Sequence, residues 1–242
     1  MRKASLCSPG ITRRHRLSLK IASIRPDRRS HHERSQSLSG AYPELRGRRR
    51  VWRAIVRYIR RDAPEVETLI ELGAGYCDFI NQFPADKKIA FDLNPEMRAH
   101  AMPGVDLRIE DATALASVPN ESIDLVFASN FLEHLEGDQI DSLLGRCFEV
   151  LKPGGRLILI QPNHRLCAET YFDDPTHRTI FDDANIREWL ARHRLKIRKL
   201  VPGLLPFSMK GRLPKSELLT WLYLISPWKP LAAQMYIVAE KA

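Results

Sequence analysis

The chain has 242 residues, of which 44% are hydrophobic, so it is long enough for one well-buried α/β domain and too short for two of ordinary size. Its most apolar stretch, residues 218–226, is too short to span a bilayer, and no secretory leader is visible. The net charge of +9 is uneven: residues 1–61 hold 18 Lys and Arg against 3 Asp and Glu, whereas residues 62–242 hold 20 against 26. Because the body of the chain is acidic, we expect no nucleic-acid partner.

The cysteines are scattered along the chain. Cys7, Cys77, Cys147 and Cys167 form neither a Cys-x-x-Cys pair nor a Cys/His cluster at metal-ligand spacing. The pattern predicts free thiols in a reducing compartment, which indicates a cytoplasmic protein, and it predicts no metal site.

Residues 1–40 are rich in Arg, Ser and His, poor in acids, and lack a periodic apolar pattern. This composition predicts a disordered tail ahead of one domain over residues 41–242. An organellar transit peptide has a similar composition. A plain basic tail, or a start codon placed too far upstream, is the interpretation that we favour.

A helix is predicted within residues 44–62, because Trp52, Ile55, Val56 and Ile59 fall on one face and the arginines face elsewhere. Packing of the apolar face against the domain is the favoured interpretation. A basic amphipathic helix can also lie on an anionic membrane surface, so peripheral membrane contact stays open. The sequence does not predict the oligomeric state.

Apolar, strand-like segments then alternate with helical patterns. The predicted strands are residues 66–72, 88–93, 105–110, 123–129 and 155–162, and the clearest helices are residues 138–151 and one that starts at Asp182 or Asp183. Such alternation predicts an α/β fold with a doubly wound, mostly parallel sheet. The segment 202–231 has five prolines and precedes a last strand-like run, so it is predicted to be an insertion that serves as a lid or an acceptor wall.

The stretch "ELGAGYCDFI", residues 71–80, is typical of a strand that enters a glycine turn and then a helix. Gly73 and Gly75 fill the first two positions of a dinucleotide fingerprint, but Asp78 stands at the third. A carboxylate at that point opposes a pyrophosphate. It tolerates a nucleoside with a cationic end, and S-adenosylmethionine is such a ligand.

Polar residues and glycines also follow the other predicted strands, at the edge where a doubly wound sheet binds its ligand. Asp92 lies 17 residues beyond Gly75, close to the spacing expected for a carboxylate that binds a ribose. Asp111, followed by Ala112, has groups suited to an adenine ring. The predicted cofactor-binding residues are Glu71, Gly73, Gly75, Asp92, Leu93, Asp111, Ala112 and Asn130.

Taken together, these segments resemble the class I S-adenosylmethionine-dependent methyltransferases over about residues 66–165. The segment "ELGAGYC" is similar to the first motif of that family, "FDLNP" to its ribose-binding acid and "EDA" to its adenine-side acid. The segments "IDLVFASNFLEHL" and "LKPGGRLILIQPN" are similar to its fourth motif and to the strand that follows the motifs. The family often has a third glycine where Cys77 stands, so a somewhat tighter loop is expected here.

The segment "YFDDPTHRTIFDD" and the C-terminal region resemble a bacterial subgroup met beside glycan-assembly enzymes. The resemblance implies methyl transfer from S-adenosylmethionine to a small-molecule acceptor, which we expect to be a hydroxyl compound bound between residues 164–180 and the insertion. His177, oriented by Asp173 or Asp174, is a candidate general base, and His134 is another. An RNA methyltransferase recruited by the basic N-terminus and a non-catalytic cofactor-binding module remain the alternatives.

Overall fold

The computed structural model describes residues 47–206 and 215–242, so the tail predicted over residues 1–40 lies outside the described residues. Seven strands and five α-helices occur in the described ranges. The helices are α1 (Arg48–Ile59), α2 (Gly137–Val150), α3 (His164–Cys167), α4 (Asn185–Arg192) and α5 (Glu217–Ile225). The strands are β1 (Thr68–Leu72), β2 (Lys87–Phe91), β3 (Val105–Arg108), β4 (Ile123–Ser129), β5 (Leu151–Pro162), β6 (Leu195–Pro206) and β7 (Ala232–Lys241).

The strands form one sheet in the order β3-β2-β1-β4-β5-β7-β6. Strands β1 to β5 pair in parallel, whereas β7 pairs antiparallel with both β5 and β6. This arrangement confirms the predicted doubly wound, mostly parallel sheet. The chain reverses its direction of travel across the sheet between β1 and β4, and a crevice for a ligand opens beyond the carboxyl ends of strands at such a point.

Apolar side chains cover both faces of the sheet. One core cluster contains Ile70 and Leu72 of β1 together with the buried faces of α2 and α4. The other contains Leu69 of β1, the buried face of α1 and Leu224 of α5. Helices α1 and α5 therefore lie on one side of the sheet and α2 and α4 on the other. The favoured interpretation of the first helix is correct, because its apolar face is buried in the domain.

The helix predicted after the glycine turn is wrong, because residues 75–83 form successive turns. Two contacts explain the difference. Cys77 adopts a left-handed backbone with φ of 55°, which an α-helix does not accommodate. The Glu71 carboxylate accepts a hydrogen bond from the Ile80 amide at 3.0 Å, and that amide is therefore not used in a regular helical ladder.

The C-terminal part differs from the sequence prediction in its boundaries. Strand β6 has no predicted counterpart, and its last residues, 202–206, were expected to begin the insertion. Residues 207–214 lie outside the described ranges, and the remainder of the predicted insertion contains α5. The Ser216 hydroxyl caps α5 by accepting a hydrogen bond from the Leu219 amide.

Candidate active site

The glycine turn beyond β1 uses backbone angles that favour glycine. Gly73 and Gly75 have φ of 64° and 49°. A Cβ added to Gly73 would lie 2.5 Å from Cδ2 of Phe131, so this glycine lets Phe131 pack against the turn. A Cβ added to Gly75 would meet no atom of the described residues within 4 Å. The Gly75 backbone thus faces open space, as a turn that a ligand approaches closely would.

Cys77 has a backbone conformation that favours glycine. Its φ of 55° lies in the left-handed region, where a residue with a Cβ is strained by about 1–2 kcal/mol. The cysteine side chain is fully buried in the core beside α1. Burial raises the pKa of its thiol to about 12, so Cys77 is a packing residue and is not poised as a nucleophile.

Asp92 connects the glycine turn to the end of β2. Its Oδ2 accepts a hydrogen bond from the Gly75 amide at 2.8 Å, and its Oδ1 accepts one from the Asn94 amide at 2.8 Å. The Leu93 backbone also hydrogen-bonds to Asp92. A carboxylate has about four lone-pair sites, so these bonds leave capacity for a ribose hydroxyl. The structure therefore brings together Gly75 and Asp92, as the sequence predicts. Leu93 is 43% exposed beside them.

The electrostatics of this edge favour a cation. Glu71 is buried, and desolvation is the main reason why its pKa lies well above the usual range, while the bond from Ile80 opposes the shift. The negative charges of Asp78 and Asp92 raise the pKa of Glu71 further. Asp78 is itself paired with Arg48 of α1. Because Glu71 is held in its neutral form more readily and Arg48 balances Asp78, Asp92 contributes most of the negative charge that opposes a pyrophosphate and suits a positive sulfonium.

The remaining predicted cofactor residues lie at the neighbouring strand ends. The Asp111 Oδ1 atom accepts hydrogen bonds from the Thr113 amide and hydroxyl, both at 2.8 Å, which is a turn-forming role. Ala112 is buried behind it. Asn130 follows β4 with φ of 49°, and its Oδ1 accepts a hydrogen bond from Gln234 at 2.7 Å.

Beside the predicted catalytic histidines, the structure reveals a buried acid that the sequence prediction did not include. Glu133 is fully buried, and its Oε1 lies 3.9 Å from Nε2 of His177. Gln161 donates a hydrogen bond to Oε2 of Glu133 at 3.0 Å, while Oε1 has no hydrogen-bond partner in the described part of the chain. Burial raises the pKa of Glu133 to about 8. We call Glu133, His134 and His177 the Glu-His cluster.

A hydrogen-bonded chain links Asp174 to His134. The Thr176 hydroxyl donates to Oδ1 of Asp174 at 2.5 Å, and it lies 2.8 Å from Nδ1 of His134. If the hydroxyl proton is on the Asp174 side, Nδ1 of His134 must carry the proton of the imidazole and Nε2 is left basic. Asp174 also raises the pKa of His177, although burial lowers it overall. Asp174 thus acts on both histidines.

Both histidines are held largely neutral near neutral pH. Burial is the main cause that lowers the pKa of His134, and a proton on His177 would lower it further. A neutral imidazole is the form that can accept a proton. The Glu-His cluster also offers three potential donor atoms within 4.8 Å of one another, so the absence of a metal site stays a prediction.

Comparison with known proteins identifies the central segment. Residues 70–159 match a family described as a methyltransferase domain. The malonyl-[acyl-carrier protein] O-methyltransferase of Methylococcus capsulatus is 33% identical over 120 residues, which cover 45% of this chain and 42% of that protein. The trans-aconitate 2-methyltransferase of Paracidovorax citrulli is 30% identical over 111 residues, which cover 45% and 39%. The chain spans about two-fifths of the length of these relatives.

Solved structures share the fold. A possible histamine N-methyltransferase from Thermotoga maritima aligns with a TM-score of 0.65 and 16% identity, covering 87% of this chain and 99% of that one. The geranyl diphosphate C-methyltransferase of Streptomyces coelicolor aligns with a TM-score of 0.56 and 13% identity, covering 78% of this chain and 77% of that one. Residues 70–159 therefore match a methyltransferase domain, and this match and the shared fold support S-adenosylmethionine as the cofactor.

Proposed function

We propose that the protein transfers the methyl group of S-adenosylmethionine to a hydroxyl of a small-molecule acceptor, such as a sugar or a lipid-linked glycan. When bound, the cofactor supplies a methyl group that is already activated by the sulfonium. The residues proposed to hold it are Glu71, Gly73, Gly75, Asp92, Leu93, Asp111, Ala112 and Asn130. The supporting observation is the turn at Gly75, which is open, hydrogen-bonded to Asp92 and surrounded by acids.

The proposed base lies directly after β4. A hydroxyl oxygen that forms a bond to the methyl carbon must lose its proton, and the basic nitrogen of His134 is suited to accept it, with Asp174 stabilising the charge through Thr176. His177 is the second candidate, since it is neutral and contacts the His134 ring edge-on at 5.0 Å. Orientation supplies about 7–11 kcal/mol in well-aligned systems, so the base adds to alignment and does not replace it.

A cleft of about 510 Å³ supports the acceptor position. Residues 165–170 line one wall, and residues 231–233 line the other. The first segment follows β5 and lies within residues 164–180, and the second runs from Leu231, the last residue of the predicted insertion, into the start of β7. The cleft therefore borders both regions expected to bind the acceptor. Its volume is in the range of small-molecule sites. Leu166 and Leu231, both on its walls, are exposed apolar residues that favour an acceptor with an apolar part.

The test uses the full chain with methyl-labelled S-adenosylmethionine, free sugars, alkyl glycosides of increasing chain length, and total tRNA. We expect label in the glycosides, increasing with alkyl length. With a responding acceptor, His134→Ala or His177→Ala should lower turnover by about 10²- to 10⁴-fold and leave cofactor affinity unchanged. His193→Ala is the matched control, because His193 pairs with Asp141 of α2 at 2.9 Å and not with a member of the Glu-His cluster.

Other outcomes favour the alternatives. Label in tRNA would favour an RNA methyltransferase. Cofactor binding with neither transfer nor slow hydrolysis would favour a binding module. Normal turnover in both histidine variants would mean that alignment alone drives the reaction.

A further inference from the structure

The segment 218–231 exposes an unusual amount of apolar surface. Eleven large hydrophobic side chains are exposed among the described residues, and six of them lie in these 14 positions. They are Leu218, Leu219, Leu222, Ile225, Trp228 and Leu231. Trp228 and Leu231 are 76% and 79% exposed. Such a concentration of exposed apolar side chains in one short segment is typical of an interaction site.

The helix within this segment is apolar around most of its circumference. The sequence of α5, "ELLTWLYLI", contains one acid and no Lys or Arg. Only Leu224 is buried in the domain, so most of the apolar residues face outward. A helix that is apolar on all sides is normally enclosed by protein or lipid. The predicted lid thus presents its apolar residues away from the core, which calls for an external partner.

Arginines of α1 border the apolar surface. Helix α1 contains no acid, and Arg49, Arg50, Arg53, Arg57 and Arg60 beside or within it are exposed. The two helices are in direct contact, because Arg53 pairs with Glu217 at 3.1 Å and the guanidinium of Arg57 lies 4.0 Å from the ring centre of Trp221. We call the exposed residues of 218–231 together with these arginines the α1-α5 face.

The α1-α5 face lies next to both parts of the candidate active site. Leu231 also lines the cleft proposed for the acceptor. At the N-terminal end of α1, Gly47 lies so close to Lys215, just before α5, that an added Cβ would touch it. The next residue, Arg48, pairs with Asp78 of the glycine turn. A surface on which this face rests would therefore lie beside the cleft and the turn.

We propose that the α1-α5 face docks on an anionic lipid bilayer. Leucine and tryptophan side chains enter the boundary between headgroups and acyl chains, and the arginine row contacts lipid phosphates. Charge favours this occupant over a second copy of the chain, because two copies would place their arginine rows against each other. The apolar centre disfavours RNA, which would require cations and stacking residues there. The proposal rests on this surface and not on the proposed methyl acceptor.

No helix in residues 47–206 or 215–242 is long and apolar enough to cross a membrane. The test is co-sedimentation of the full chain with vesicles of phosphatidylcholine alone or with phosphatidylglycerol added. We expect binding to the anionic vesicles that weakens as salt is added. The double variant Leu222→Ser/Trp228→Ser and the double variant Arg49→Gln/Arg60→Gln should each reduce binding by roughly tenfold or more.

Matched controls separate the face from the rest of the chain. Met102→Ser removes a 52% exposed apolar side chain before β3. Arg187→Gln/Arg194→Gln neutralises two exposed arginines, one in α4 and one just after it, and α4 lies on the opposite side of the sheet from α1 and α5. Both should bind as the wild type does. Absence of binding to anionic vesicles would overturn the proposal. Equal binding by all variants would also overturn it, because the contact would then lie in residues 1–46. A dimer detected by light scattering and dissociated by Leu222→Ser/Trp228→Ser would overturn it as well.

Discussion

Replacing the two glycines of the turn by alanine should produce two different defects. Both positions have a left-handed φ, which costs about 1–2 kcal/mol for alanine. Gly73→Ala adds a clash, since its Cβ would lie 2.5 Å from Phe131, and overpacking costs about 1–3 kcal/mol. We therefore expect Gly73→Ala to lower the free energy of unfolding by about 2–5 kcal/mol, and Gly75→Ala by about 1–2 kcal/mol.

Cofactor affinity should separate the same variants. The Cβ of Gly75→Ala would extend into the open space where the cofactor is proposed to lie, so binding should weaken by roughly tenfold or more. Gly154→Ala is the matched control, because Gly154, near the start of β5, has φ of 76° and an added Cβ there meets no described atom within 4 Å. It should share the stability loss of Gly75→Ala and keep full affinity.

Denaturant unfolding and calorimetric titration of the three variants provide the measurements. Adding Phe131→Ala to Gly73→Ala should reduce the cost of the glycine replacement to that of backbone strain alone. Equal stability losses at Gly73 and Gly154 would refute the packing argument. Unchanged cofactor affinity in Gly75→Ala would refute the placement of the ligand at this turn.

Three further predictions concern stability and metal content. Burial raises the pKa of Glu133 from 4.5 to about 8, so the folded metal-free protein should lose at most about 5 kcal/mol of stability as pH rises through that window. Thermal melts of Glu133→Gln should show a smaller loss over the same pH range. An identical pH profile for the variant and the wild type would contradict the assignment. Deleting residues 1–40 should leave the melting temperature nearly unchanged, and a large drop would show that the tail packs on the domain. Metal analysis of the purified protein should find no stoichiometric ion at the Glu-His cluster, and one tightly held ion would contradict the sequence prediction.

The parallel half of the sheet could be predicted because its strands are buried on both faces. Their apolar runs are nearly continuous, and short polar turns mark their ends. Strand β6 escaped prediction for the opposite reason. It is an edge strand with alternating burial, several cations, and prolines at 202 and 206 that edge positions tolerate. Its sequence therefore looks like a loop.

Some residues of the candidate site could likewise be predicted from the sequence, and others could not. Asp92 could be predicted because its role follows from strand order and from its spacing to Gly75. Glu133 could not, because a carboxylate after a strand resembles a surface residue until Gln161, 28 positions away, and His177 enclose it. The contact between His134 and Thr176 joins residues 42 positions apart, so no local pattern reveals it.

The central claim is a site at the carboxyl ends of the strands that binds S-adenosylmethionine and excludes dinucleotides. Isothermal titration of the full chain with S-adenosylmethionine, its demethylated product and NAD tests it most directly. We predict binding of the first two and no measurable binding of NAD. Asp92→Ala should weaken cofactor binding by about 1.5–3 kcal/mol, whereas Asp106→Ala, at an exposed acid of β3, should not. Tight NAD binding, or an Asp92→Ala variant with wild-type cofactor affinity, would contradict the account.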